Sequence, residues 1–237
     1  MRHSFLAALA AGSIALCVTP ALADPALDKA LCDAAEKGSP ATITNAVNQG
    51  GQIGAICEGS NYTPLTIAVE FGSAENVDAL LALGAPVNQP DGFQDNPLTY
   101  VHSPAVTRSL LAHGADPGQR NHWGETALLA AASRAGNMSE QDAIDIAQML
   151  LDQGANINAV GSGDIRSTVL INAINSKQNR YIEYLIDHGA AVNARNSSNN
   201  TPLDVIINAI NLAPVLQDDP APYREAEALL RAHGAVQ

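Results

Sequence analysis

With 6 histidines and 24 acidic residues in 237, the chain holds side chains suited to acid-base or metal chemistry. Their spacing decides whether that chemistry is present. A metal centre needs three or four ligands converging on one ion. His113, His188 and His233 instead each stand immediately before a Gly-Ala pair that closes a leucine-rich segment. They recur about one segment apart and do not converge; a histidine there favours the negative end of a helix dipole. His102 and His122 have no paired His or Cys at i+3 or i+4, and His3 lies in an apolar leader. Gly161-Ser162-Gly163 lacks the rest of a phosphate-binding fingerprint, and neither a nucleophile elbow nor a paired-carboxylate motif is present. The expectation is a noncatalytic chain with no cofactor and no metal site.

Hydrophobic residues make up 46% of the sequence, charged residues 15% and aromatics 4%. A sizeable core of small and aliphatic side chains follows, and that composition favours packed helices over disorder. The 12 basic residues against 24 acidic ones give a formal charge of −12. Nucleic acid and anionic lipid, which need clustered Lys and Arg, are not expected partners.

Met1-Arg2-His3, an apolar run from Phe5 to Val18 and Ala21-Leu22-Ala23 before Asp24 form a basic start, a hydrophobic centre and a small-residue cleavage site. Residues 1–23 are therefore expected to be a cleaved signal peptide. The run is shorter than the roughly 20 residues a membrane span requires. Leu16 before Cys17 is bulkier than lipoprotein processing favours. After cleavage no membrane association is expected, and the location is the periplasm if the host is Gram-negative, otherwise the exterior. Cys32 and Cys57 would then be the two remaining cysteines, and in an exported protein pairing is the default. Buried free thiols are the competing reading; no Cys-x-x-Cys supports a redox pair.

The elements that position these residues are legible as internal repetition. A Thr-Pro-Leu-like start occurs at Thr63-Pro64-Leu65, Asn96-Pro97-Leu98, Thr126-Ala127-Leu128, Thr168-Val169-Leu170 and Thr201-Pro202-Leu203, with spacings of 33, 30, 42 and 33. A leucine-rich segment closing on Gly-Ala alternates with it: Gly84-Ala85, Gly114-Ala115, Gly154-Ala155, Gly189-Ala190 and Gly234-Ala235. Val87-Asn88, Ile157-Asn158 and Val192-Asn193 follow three of these ends, and an earlier unit places Lys29, Ala34 and Gly50 in matching register. Proline in the first helical turn and a preceding Thr cap suit a helix start; Gly after the Leu-Leu segment suits a helix end.

This pattern resembles the ankyrin repeat, a unit of about 33 residues with a turn, two antiparallel helices and a finger loop. The resemblance covers nearly all of residues 24–237 and implies an all-α solenoid of about six stacked units, near 25–57, 58–91, 92–121, 122–161, 162–196 and 197–237. Thr66, Thr99, Leu129, Ile171 and Asp204 replace the family's His after Thr-Pro-Leu, an expected loss of one local hydrogen bond. The distance from start to Gly is 21 residues in the units beginning at Thr63 and Thr168, but 18, 28 and 33 in those beginning at Asn96, Thr126 and Thr201. The extra residues, around 137–142 and 211–223, are expected between the paired helices.

The resemblance further implies a partner surface on the finger tips and first helices, a concave strip. Here it holds Tyr62, Glu70, Phe71, Phe93, Asp95, Trp123, Glu125, Arg134 and Ile165, and the partner is expected to be another protein bound by a monomer. Aromatics and Arg are the usual interface anchors; Phe93 and Trp123 packing on neighbouring fingers is the competing reading. Two further roles stay open: an immunity-type inhibitor that occludes a toxin or enzyme, and a periplasmic accessory in oxidant protection.

Overall fold

The computed structural model describes residues 24–162 and 166–237. The expected signal peptide and Ile165 lie outside the described residues. Helices come in antiparallel pairs: α1 (Pro25–Lys37) with α2 (Pro40–Asn48), α3 (Pro64–Glu70) with α4 (Ala74–Ala82), and a 3-10 turn Pro97–Tyr100 with α5 (Pro104–Ala112). They continue with α6 (Ala127–Arg134) and α7 (Glu140–Asp152), α8 (Val169–Ile174) and α9 (Asn179–Asp187), and α10 (Pro202–Leu216) and α11 (Ala221–Ala232). First elements stack on first elements and second on second along the rod. The result is an all-helical solenoid, with one isolated β-bridge, Val160 to Thr168, among the described residues.

Local chemistry sets each helix. Thr63, Thr168 and Thr201 accept the N3 backbone N–H at 3.1, 3.2 and 3.1 Å, which satisfies an orphan donor of the first turn. Asn96 and Thr126 make no such side-chain cap. The family's missing histidine is partly replaced. Thr63 and Thr66 hydroxyls bond each other at 2.9 Å, and Asp204 Oδ2 accepts from both the backbone and the hydroxyl of Thr201 at 2.9 Å. Those bonds hold the Asp204 carboxyl below its ordinary range. At the other end, Gly84 has φ +89° and an added Cβ would meet nothing within 4 Å. Conformation rather than space therefore demands glycine, and Ala85 N–H closes on Leu80 O at 2.9 Å to end the helix.

Each pair buries one stripe. Leu31, Ile43, Leu65, Leu80, Leu98, Leu110, Leu128, Ile146, Leu170, Leu185, Leu203 and Leu230 are all buried in one continuous cluster, each contributing roughly 1.5–3 kcal/mol relative to exposure. Between pairs, the asparagine after three of the Gly-Ala turns acts as a clip. Asn88 Nδ2 donates to Gly114 O at 2.9 Å while its Oδ1 accepts Asp116 N–H at 2.9 Å. Asn158 bridges to Gly189 O and Ala191 N–H at 3.0 and 2.8 Å, and Asn193 to Gly234 O and Val236 N–H at 3.1 and 2.8 Å. Gly118 holds the corresponding place after Gly114, so that junction has no such clip.

Cys32 and Cys57 are joined by a disulfide. It fastens α1 to the loop leading into α3. The extra residues are more helical than an insertion between helices suggests. Ala135–Asn137 forms a 3-10 turn and α7 runs to 13 residues, while 211–216 continue α10 to 15 residues with Pro214 inside its last turn. Lys177 Nζ pins the following bend by reaching both Asp218 oxygens at 2.6 Å and lying 5.3 Å from the Tyr223 ring centre.

Two stability measurements follow. Asn158→Ala removes both bridging hydrogen bonds and is expected to cost about 1–2 kcal/mol in urea unfolding. Reduction of the disulfide, or the Cys32→Ala, Cys57→Ala pair, is expected to cost about 3 kcal/mol for a closed loop of this size, read as a lower thermal midpoint under reductant. No change in either experiment would contradict the role given to that bond.

Candidate functional site

The finger loops are five-residue turns held by the side chain at their base. Asp91 N–H donates to Asp95 O at 2.9 Å, and Asp91 Oδ1 accepts the N–H groups of Phe93 and Asp95 at 2.8 and 3.1 Å. Asn121 repeats this with Trp123 and Glu125 at 3.0 and 2.8 Å, and Asn196 with Ser198 and Asn200 at 3.0 Å each. The third residue of the turn is thereby carried to the tip. Phe93 and Trp123 occupy that place, 42% and 60% exposed.

Behind the tips the aromatics divide into two groups. Tyr62 is the hub of one, meeting Phe71, Phe93 and Tyr100 edge-on with ring centres 5.8, 5.4 and 5.5 Å away. Trp123 stands outside it, against the neighbouring His122 ring at 4.3 Å. Phe93 is thus half packed on its neighbour, whereas Trp123 leaves most of its surface to solvent.

Below lies a buried polar network. The Tyr100 hydroxyl is shared between Asp91 Oδ2 at 3.0 Å and Asp95 Oδ2 at 3.2 Å. Asp95 Oδ1 accepts the backbone N–H of His122 at 3.1 Å and its Nδ1 at 2.8 Å, so Nδ1 carries the proton. Burial first, and then the two carboxylates, push the Tyr100 hydroxyl far above the usual tyrosine range and keep it a donor. Burial, with Glu70 nearby, also raises Tyr62. Asp95, expected as a contact residue of the strip, is buried at 8% exposure and ties one finger to the next instead.

The short unit has a second consequence. Its first helix is a four-residue 3-10 turn, and the three residues missing from its spacing amount to nearly one helical turn. Glu70 and Arg134, on the first helices of the units either side, meet across the gap at 2.8 Å. The Arg134 guanidinium carbon lies 5.4 Å from the Tyr100 ring centre. Two clefts open beside this pair. One, about 450 Å³, is lined by Glu70, His102, Arg134 and Asn137; the other, about 170 Å³, lies among Asp95, Tyr100, Trp123, Glu125, Ser133 and Arg134.

Tyr62, Glu70, Phe71, Phe93, Trp123, Glu125 and Arg134 therefore share one neighbourhood, with Asp95 beneath it. Sequence reasoning missed Asp91, Asn121 and His122. A signal for the first two was available: Asp or Asn five residues before three of the four later starts, at Asp91, Asn121 and Asn196. His113, His188 and His233 place Nδ1 at 2.9, 2.7 and 2.9 Å from the carbonyl four residues earlier, closing the last turn of α5, α9 and α11. Among the described residues no group of three or more His, Cys, Asp or Glu is placed to hold a metal ion.

Asp95→Ala strands the His122 N–H donors, and a stability loss of about 2–3 kcal/mol is expected, with a shift in Trp123 fluorescence as the finger relaxes. An unchanged denaturation midpoint would show that the network does not hold the fingers.

Comparison with known proteins gives a consistent result. Residues 99–196 match the family model described as Ankyrin repeats (3 copies), and residues 60–92 match Ankyrin repeat. Ankyrin repeat and SOCS box protein 16 is 35% identical over 129 residues in Mus musculus and 33% identical over 163 residues in Homo sapiens, covering 51% and 64% of this chain. The chain spans only 28% and 34% of those two proteins. A crystal structure of an ankyrin repeat domain from Acinetobacter baumannii AYE superposes with a TM-score of 0.64 at 28% identity, covering 87% of this chain and 98% of that one.

Proposed function

Because the chain belongs to the ankyrin-repeat family, whose repeats are generally protein-interaction modules, we propose that it is a noncatalytic binding protein of an exported compartment. Its partner is another protein, met through the finger tips and first helices. One observation carries this reading. In a chain with a single Trp and 3 Phe, the Trp and two of the Phe, Phe71 and Phe93, stand exposed together at 60%, 55% and 42%. Exposed aromatics cost solubility unless a partner covers them, and beside an arginine they are typical interface anchors.

Export is proposed on two grounds: the pattern of residues 1–23 and the Cys32–Cys57 bond, which persists in oxidising compartments. The periplasm is the compartment if the host is Gram-negative.

The test is affinity capture from the native exported fraction with residues 24–237, run beside the Phe93→Ala, Trp123→Ala double variant after circular dichroism confirms its fold. The wild type is expected to retain one protein selectively and the variant to retain it at least about tenfold less, since two anchors together exceed 1.4 kcal/mol. Equal retention by both would move the interface off this face. If the captured protein is a toxin or hydrolase that loses activity when bound, the immunity-type reading is the correct form of the proposal.

A further inference from the structure

The interaction face carries a clue to what it accepts, because it already holds one guanidinium. Arg134 lies over the Tyr100 ring with its charge met by Glu70 at 2.8 Å. On the other side of Arg134, the smaller cleft offers the same ingredients again: the Trp123 indole, the Tyr100 ring and a carboxylate, Glu125. The one cation that lines it, Arg134, is already paired with Glu70. Glu125 has only Asn121 Nδ2 near it, at 3.5 Å, and among the described residues no basic side chain pairs with it. Arg120, on the same finger, is turned away to the carbonyls of Gly124 and Val160.

Resting on the interaction reading above, we propose that this cleft is the seat for one arginine side chain of the partner, stacked on Trp123 and paired with Glu125. Three arguments converge. The cleft, about 170 Å³, is below the roughly 300–1,000 Å³ of small-molecule sites, so it suits a single side chain. Its charge is net negative, because Glu70 offsets Arg134 while Glu125 and Asp95 remain; a cation is attracted even into the company of an arginine. A flat guanidinium also stacks on aromatic faces while its N–H fork meets a carboxylate, which a lysine ammonium cannot do. The chain's formal charge of −12 also favours encounter with a basic partner segment.

Trp123 is the only tryptophan in the chain, so its emission and its indole N–H resonance report directly on the cleft. The probe is the blocked tripeptide acetyl-Gly-Arg-Gly-amide, titrated into the millimolar range against residues 24–237. Its citrulline counterpart keeps the shape and removes the charge. Expected is a saturable change with the arginine peptide, at least about fivefold weaker with citrulline and with Glu125→Gln, as for a stacked, charge-paired contact. Glu183→Gln, an exposed acid on α9, makes the same change in net charge and is expected to leave binding as in the wild type. Equal response to both peptides, no response into the millimolar range, or an unaffected Glu125→Gln variant would each overturn the proposal. If the peptide titration fails while capture still depends on Phe93 and Trp123, the arginine seat falls alone; if capture too ignores those residues, the interaction reading falls with it.

Discussion

Each helix pair presents a stripe of Leu, Ile, Val and Ala that only the next pair can cover, and the whole molecule is built around that dependence. The stripe is non-directional, so it forces stacking without fixing register. Register comes from directional bonds at the edges. The asparagine clips from Asn88, Asn158 and Asn193 join one helix end to the next. Along the fingers, Gly92 N–H meets Asn61 O at 2.7 Å and Ser197 N–H meets Arg166 O at 2.9 Å.

Where the stacking is irregular, the candidate site appears. The 3-10 turn Pro97–Tyr100 is too short to fill the row of first helices. Side chains from the units on either side then cross the gap, and Arg134 reaches Glu70 over Tyr100. The Asp91–Tyr100–Asp95–His122 network braces the fingers above the same turn. A missing helical turn thus becomes a notch with charge and aromatic surface, positioned by the regular units around it.

What was legible in the sequence follows the range of the interactions involved. Thr-Pro-Leu starts and Gly-Ala ends act within one turn, so they show in a single segment, and the terminal histidines were readable for the same reason. Residues 211–216 were not: they prolong α10 up to a bend where Asp218 meets Lys177, 41 positions away, a contact that no single segment displays. Asp95 was placed on the right finger but not recognised as buried, since its partners Tyr100 and His122 come together only when two fingers stack. The 18-residue spacing was visible, yet its result, a salt bridge between residues 64 apart, needed the full stack.

The claim on which the functional account stands is that a protein partner sits against Trp123. A photo-crosslinking aromatic amino acid, p-benzoylphenylalanine, which keeps an aromatic side chain at position 123, and separately the same residue at Glu183 on α9, tests it in the native exported fraction by trapping the contact covalently. The account predicts one dominant adduct from position 123 and none from position 183. Adducts from 183 alone, or the same adduct from both positions, would contradict it.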